Sequence, residues 1–353
     1  MTLAISIREW GAMARSTIKD VAREAGVSVG SVSRVLNGLP VSPGLRQKVE
    51  EARARLQYEP NSLARSMRTN STSAVGFFVP DVANPLYGAI INSLDRRLNA
   101  RGLMLLLASG RGRKARDVVA EFQRRRVDGL IFVPDSEDDP ELIRALEDFS
   151  APTVIQSVEF PSRFYGVRVG YRSGTRQAVD YLLGLGHRRI ALLSPLTHLW
   201  PGREREAGYR EAFRNRGLTV DEDLIRPLAL GLNPLPDLDA LLTGSDRATA
   251  LILPGSRILA LTLQMARDHG LRVPDDLSVI SVGDNDWVAT YSPAITTLRW
   301  PVETLVDSMV ELLLNQMEGR SPRPVQITVP TELVMRESCG PAPTPPRSGQ
   351  EDL

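Results

Sequence analysis

From residue 74 onward, apolar runs of strand length alternate with amphipathic stretches of helical period. The runs are AVGFFVP (74–80), LMLLLAS (103–109), GLIFVP (129–134), TVIQS (153–157), RRIALLS (188–194), ATALILP (248–254) and LSVISVG (277–283). Between them, residues 84–100, 115–126, 173–185, 204–216 and 258–269 read as helices. Such alternation implies βαβ units and parallel sheets. The runs are too many for one small sheet and suit two, so a pair of α/β subdomains is predicted.

Before residue 74 the period is helical throughout. Thr17 and Asp20 have the spacing of a capping box, and Ile18, Val21, Ala22 and Ala25 fall at i, i+3, i+4 and i+7. Gly26 stops this helix. Ser28 caps a second one that runs to about Leu36, with Val32, Val35 and Leu36 facing inward. Ser42-Pro43 opens a third, whose Leu45, Val49, Ala52 and Leu56 form one stripe. Two short helices joined by a glycine-bearing turn make a helix-turn-helix unit. The outward face of the second helix carries Val29, Gly30, Ser31, Ser33 and Arg34, then Asn37 and Gly38. Small residues there let the backbone approach DNA, hydroxyls reach phosphates, and an arginine can address guanine O6 and N7 with two hydrogen bonds.

Charge sharpens this division. The chain has 43 Lys/Arg and 42 Asp/Glu, but residues 1–72 hold 11 against 6 and the rest 32 against 36. A head of +5 on a body of −4 suits a polyanion-binding module on a domain with another task. At 353 residues, 42% hydrophobic and 24% charged, the chain is long enough for several cores and is not globally disordered. No run reaches the roughly 18 apolar residues of a membrane span, and the N-terminus lacks a secretory apolar region. The single cysteine, Cys339, permits neither an internal disulfide nor a cysteine metal cluster. The expectation is a cytoplasmic protein that contacts no membrane and carries no cofactor.

TIKDVAREAGVSVGSVSRVLNG, followed by a third helix and then YEPNSLARSMR, strongly resembles the DNA-binding head of the lactose and galactose repressor family of bacterial transcription regulators. The resemblance implies that Val29, Gly30 and Arg34 face base edges in the major groove, with Thr17, Ser28, Ser31, Ser33 and Asn37 near the DNA backbone. It also implies a hinge helix over Ser62 to Arg68, capped by Pro60-Asn61. There Met67 takes the place of the apolar wedge that kinks the operator, and Arg65 and Arg68 meet phosphates. So short a helix is unstable alone, so it should fold only when two copies pack on DNA. Met13-Ala-Arg-Ser-Thr reads as a natural beginning of such a head.

The body resembles the family's effector domain through VDGLIF (127–132), LGHRRIALL (185–193), GLRVPDDLSVIS (270–281) and SPAITTLRWP (292–301). The fold class implied is an all-α helix-turn-helix head plus hinge helix, followed by an α/β periplasmic-binding-protein-like body of two parallel-sheet subdomains. The domains expected are a disordered extension (1–15), the DNA-binding domain (16–59), hinge and linker (60–73), the effector and dimerisation domain (74–339) and a disordered tail (340–353). Within the body, subdomain 1 covers about 74–170 and 300–329, and subdomain 2 about 171–299 and 330–339.

A ligand would bind between the subdomains, beyond the carboxyl ends of the strands. The resemblance places Asp81, Asn84, Tyr87, Tyr171, Arg205, Ser256, Asp284 and Trp287 around it, with Arg205 holding polar or anionic groups. The chain departs from the family pattern at Gly170-Tyr171, at Gly255-Ser256, at Gly283 and at Trp300. Those changes remove fixed donors and acceptors that a sugar needs, so a simple hexose or pentose is not the expected effector. Either Tyr171, Trp287 and Trp300 shape a wider pocket for a larger or less polar ligand, or effector control is lost and the aromatics are packing.

One stretch imitates a dinucleotide motif: Gly110, Gly112 and Ala115 fit G-x-G-x-x-A, with Asp135 twenty residues beyond Ala115. His187, His198 and His269 have no metal-ligand spacing, and no nucleophile signature is present, so an enzyme is not expected. A solute-binding protein is disfavoured by the head and by the lack of a signal sequence. The sequence reading is a repressor acting as a homodimer on a pseudo-palindromic double-stranded operator, controlled by a small-molecule effector; its alternative is the same architecture without ligand control. Met67→Gly should leave the dimer intact and weaken specific binding while reducing operator bending. Unchanged bending in a circular-permutation gel assay would refute the wedge.

Overall fold

A computed structural model of the chain describes residues 16–59, 71–156, 159–161, 163–195, 197–228, 235–321 and 323–343. The chain forms two compact units, the first ending at Thr72 and the second beginning at Ser73. The first twelve-residue stretch and Met13, the hinge residues Arg65, Met67 and Arg68, and residues 344–353 lie outside the described residues.

Among its described residues the first unit has three helices: α1 (Ile18–Ala25), α2 (Val29–Leu36) and α3 (Pro43–Arg55). Both halves of the capping box form. Asp20 N–H donates to Thr17 Oγ1 at 3.4 Å, and Thr17 N–H donates to the Asp20 carboxylate at 2.9 Å. Gly26, at φ +65°, takes the left-handed conformation that ends α1 and releases the chain into the turn. Ser28 and Ser42 cap the next two helices. Val21, Ala22, Val32, Val35, Val49 and Ala52 make the core, closed by Tyr58 beyond α3.

In the second unit, twelve strands form two six-stranded sheets. The first sheet contains β1 (Ala74–Val79), β2 (Met104–Ser109), β3 (Gly129–Phe132), β4 (Thr153–Gln156), β5 (Tyr165–Gly170) and β11 (Gln326–Pro330) in the order β11-β5-β4-β3-β1-β2. The second contains β6 (Ile190–Pro195), β7 (Ile225–Leu228), β8 (Ala250–Leu253), β9 (Ser278–Val282), β10 (Thr296–Arg299) and β12 (Glu332–Val334) in the order β12-β10-β9-β8-β6-β7. All pairings are parallel except that of β10 with β12.

Parallel sheets must be covered on both faces. The first is packed by α4 (Pro85–Asn99) and α12 (Val302–Met317) on one side and by α5 (Ala115–Arg124) and α6 (Pro140–Glu147) on the other. The second lies between α7 (Tyr171–Gly184) with α8 (Trp200–Asn215), and α9 (Leu235–Leu242) with α10 (Ser256–Asp268) and the short α11 (Asp286–Thr290). The chain passes between the sheets after β5, after β10 and between β11 and β12.

The helices α7 and α8 press tightly together. A Cβ on Gly208 would stand 2.2 Å from the Arg172 carbonyl oxygen, so only glycine allows the contact.

Gly340 and Ala342, expected to begin a free tail, are tied into the second sheet's half instead. Gly340 N–H donates to Ser278 Oγ at 3.0 Å, and Ala342 N–H donates to the Leu185 carbonyl at 2.9 Å. The reason is His187, fully buried, whose Nδ1 lies 2.9 Å from Thr249 Oγ1 and whose Nε2 lies 3.0 Å from Ser278 Oγ and 3.1 Å from the Gly340 carbonyl. Beside it, burial pushes the Cys339 thiol up to about 11, which keeps it protonated.

Burial lowers the pKa of His187, against a smaller opposing effect of the Gly340 carbonyl. The folded protein therefore holds it neutral, while the unfolded chain protonates it near the ordinary value of about 6.5. Below that pH the unfolded state binds the extra proton, so stability falls as pH drops and is fully present above it. The carboxylates held low by arginines, such as Glu211 and Asp307, act only further down, near their own unfolded values. The melting temperature should be flat between about pH 7 and 8 and fall from about pH 6.5 towards 5, with a shallower fall in His187→Gln. Parallel profiles for both proteins would contradict this assignment.

Candidate functional site

The first candidate surface is the outer side of α2. Val32 and Val35 fix that helix in the core, which turns Val29 and Arg34 outward; Val29 is 42% exposed although apolar. An exposed valine at the start of an exposed helix suits contact with a thymine methyl. Gly30 is not demanded by packing, because a Cβ there would meet only Ser28 Oγ at 3.7 Å. The fold would therefore accept a side chain at this outward position.

The polar positions are partly committed. The Thr17 hydroxyl is bound to Asp20 at 2.6 Å, Ser28 Oγ lies 3.0 Å from Ser31 Oγ, and Asn37 Nδ2 donates to the Ser33 carbonyl at 2.7 Å. These residues shape helix ends first. Arg34 enters no ion pair among the described residues, which leaves its guanidinium available.

The second candidate site is the crevice between the sheets. In each sheet the order reverses beside one strand: β1 has β2 on one side and β3 on the other, and β6 has β7 and β8. Loops leaving such a pair of strands diverge and open a crevice. The loop after β1 holds Asp81, whose Oδ1 accepts from Ala83 N–H at 3.0 Å, and Asn84, which caps α4 through Leu86 N–H at 3.1 Å. Tyr87 follows, half-buried, its phenol pKa raised first by burial and then by Tyr171 and Asp81.

Aromatic side chains fill the centre. Tyr171, only 4% exposed, stands edge-on to Trp200 at 5.7 Å and to Trp300 at 5.5 Å between ring centroids. The Arg205 guanidinium stacks on Tyr171 at 4.4 Å and is itself 8% exposed. Burial lowers its pKa, and Tyr171 opposes that shift.

Trp287 does not join this group. It is 41% exposed and leans on Tyr291, because the short helix α11 buries its neighbour Val288 instead. Ser256 is the first residue of α10, after Gly255 at φ +88°. Asp284 is engaged with Arg336 at 2.9 Å and lies 3.8 Å from Arg299. A cavity of about 560 Å³ opens beside it, lined by Asp284, Arg299, Trp300, Glu332 and Arg336 among others.

The dinucleotide-like stretch lies after β2, the edge strand of its sheet, away from the reversal point that a dinucleotide fold uses. Among the described residues no helix is long and apolar enough to cross a membrane.

Sequence reasoning missed a contact that joins the two sheets. Glu137, in the loop after β3, accepts from Trp200 N–H at 2.6 Å and from Arg203 Nη2 at 2.9 Å, both at the start of α8. Arg203 also pairs with Glu159 at 3.2 Å and donates to the His198 carbonyl at 2.8 Å. The carboxylate thus meets the positive end of a helix and a guanidinium at once. Trp200-Pro201 at a helix start was the available signal for Trp200; the partner loop had none.

Three family models match the chain: bacterial regulatory proteins of the lacI family over residues 17–61, periplasmic binding proteins and sugar binding domain of the LacI family over 72–250, and a periplasmic binding protein-like domain over 179–339. The HTH-type transcriptional regulator CelR of Thermobifida fusca is 32% identical over 351 residues, covering 92% of this chain and 98% of that protein. Catabolite control protein A of Priestia megaterium is 27% identical, covering 91% and 98%.

Among solved structures, a CelR–cellobiose complex is 29% identical with a TM-score of 0.67, covering 92% of this chain and all of that one. A lac repressor dimer bound to operator and the anti-inducer ONPF has a TM-score of 0.81 over 92% and 99% of the two chains; at 24% identity it speaks for the fold. The chain belongs to the lacI family of bacterial regulatory proteins. It is a DNA-binding transcription regulator of the helix-turn-helix type.

Glu137→Ala removes the acceptor for Trp200 N–H and the partner of Arg203. Hydrogen bonds to a charged acceptor contribute about 1.5 to 3 kcal/mol, so exchange of the Trp200 amide should accelerate about ten- to a hundred-fold. Glu137→Gln should fall between. Hydrogen exchange that leaves this amide as protected as in the parent would show that the contact does not hold the crevice shut.

Proposed function

We propose that this regulator represses transcription as a homodimer on a pseudo-palindromic operator, and that a small molecule in the crevice between the sheets sets its operator affinity. The observation that carries the DNA side is the outer face of α2, where Val29, Gly30 and Arg34 stand clear of the core. Thr17, Ser28, Ser31, Ser33 and Asn37 then position the helix against the backbone.

A homodimer is supported by exposed apolar side chains on the edge strand β2, Met104 at 67% and Leu107 at 39%, which a second copy would cover. The effector side is supported by the crevice itself: Tyr171 and Arg205 at its centre, Asp81, Asn84 and Tyr87 at one wall, Ser256 and Asp284 at the other. CelR, solved with cellobiose, makes that disaccharide the first neutral compound to try. Met67 would reach the minor groove and Arg68 the phosphates from a hinge expected to fold only on DNA, so a small change in spacing between two hinges would release it.

A second reading, in which the regulator ignores small molecules, is favoured by the aromatic cluster, since Tyr171, Trp200 and Trp300 already occupy the centre of the crevice.

Arg34→Ala should cost about 1 to 3 kcal/mol at the base it reads and relax specificity there. Binding to a pool of DNA sequences, selected with parent and variant side by side, checks this. A variant that selects the same sequences with the same stringency would refute the placement of α2.

A further inference from the structure

The crevice holds two cations to which the described residues offer no counter-charge. Arg205 is 8% exposed, yet its Nε and Nη1 have no hydrogen-bond partner. Arg168, between Val167 and Val169 on β5, lays its guanidinium over Trp200 at 5.3 Å, and its buried Nε is likewise unpartnered. Neither enters an ion pair among the described residues, whereas Arg203, Arg299 and Arg336 around them are each matched to a carboxylate. The indole Nε1 of Trp300, whose ring touches Tyr171, is buried and unpartnered as well.

The orphaned groups of Arg168, Arg205 and Trp300 are thus all donors, while the orphaned acceptor on the other wall, Asp284 Oδ1, belongs to a carboxylate already ion-paired with Arg336. Aromatic faces offset part of the cost of burying a guanidinium, but they accept nothing from its in-plane N–H groups. A buried donor without an acceptor costs more than the bond would contribute, and more again when it is charged. What these two guanidiniums lack, among the described residues, is an acceptor with negative charge. A neutral sugar brings hydroxyls that donate as readily as they accept, and would leave that charge unmatched.

We infer that the crevice takes its ligand through a carboxylate or phosphate oxyanion held by Arg168 and Arg205, with Arg168 the residue that selects for charge. This rests on the crevice being the effector site. The carboxylates within reach do not compete for the two cations, because Glu137 is held by Arg203 and Trp200 N–H, and Asp284 by Arg336.

The full-length protein is titrated with inorganic phosphate, with acetate and with cellobiose at constant ionic strength, following the melting temperature and tryptophan fluorescence. The same titrations are run on Arg168→Met, which keeps an apolar stem on Trp200, and on Arg168→Lys, which keeps the charge; operator binding is measured alongside. Saturable binding of an anion is expected, weakened at least about ten-fold in Arg168→Met and less in Arg168→Lys. Phosphate binding more tightly than acetate would identify a phosphate ester as the ligand class, and the reverse a carboxylate.

The inference is overturned if neither anion gives a saturable response, or if Arg168→Met binds them as the parent does. Cellobiose binding alone, with an effect on operator affinity, would overturn the oxyanion and leave the regulator standing. Failure of the parent to bind any selected DNA would instead sink the regulatory reading.

Discussion

The burial of Arg205 against Tyr171 is the constraint around which the body is arranged. A guanidinium withdrawn from water must be matched by charge, by hydrogen bonds or by a polarisable face, and here, among the described residues, Nε and Nη1 have only the face. Helix α8 brings the arginine to that position because Tyr209, one turn further on, anchors the helix by donating to the Ile190 carbonyl at 2.7 Å. Gly208 lets α8 approach α7 closely enough for Tyr171, the first residue of α7, to reach the cation. Core packing and site geometry are therefore one arrangement: the close helix contact that stabilises the second sheet's half also fixes which ring lies under the guanidinium.

The crossing points of the chain couple this arrangement to the other half. Tyr171 follows β5 directly, and Trp300 follows β10 directly, so two of the aromatic residues at the centre are themselves crossover residues. A rotation of one sheet against the other must move them. Glu137 adds a bond across the same gap, from a loop of the first sheet to the start of α8 in the second half. A ligand in the crevice and the Glu137 contact would thus act on the same degree of freedom, and a ligand can shift it only by its differential affinity for the two arrangements.

Much of this was legible in the sequence, and what was not has identifiable causes. Each of the seven named apolar runs coincides with a strand, and all but the edge strand β2 are central strands of a parallel sheet, buried on both faces and read as unbroken hydrophobic stretches. The strands that were not named are of another kind. β7 and β11 lie at sheet edges and contain Pro227 and Pro330, β12 has three residues, β10 is the mostly polar TTLR, and β5 sets Arg168 between its two valines. Arg168 blurred the strand signal and marks the site for the same reason: a charge between buried valines has to be used.

Trp287 stands apart from the aromatic cluster. It is an aromatic residue near the expected crevice, but one position away from the residue that α11 buries. Glu137 and Arg203 carried no local pattern, since their pairing joins residues 66 apart through the tertiary fold.

The head obeys a stricter division of labour than its composition suggested. Serine, threonine and asparagine around α2 resemble a row of phosphate contacts, yet several of them close the helix ends on which they stand. This is what a short helix requires, because eight residues leave about half of their backbone N–H and C=O groups without intrahelical partners. Sequence discrimination is thereby concentrated on few positions. Gly30 offers no side chain although the space exists for one, and Val29 offers only apolar contact, so on the proposed function hydrogen-bonded base reading from this face would rest on Arg34. A regulator read in this way would gain affinity from the basic surface of its head and much of its specificity from one guanidinium.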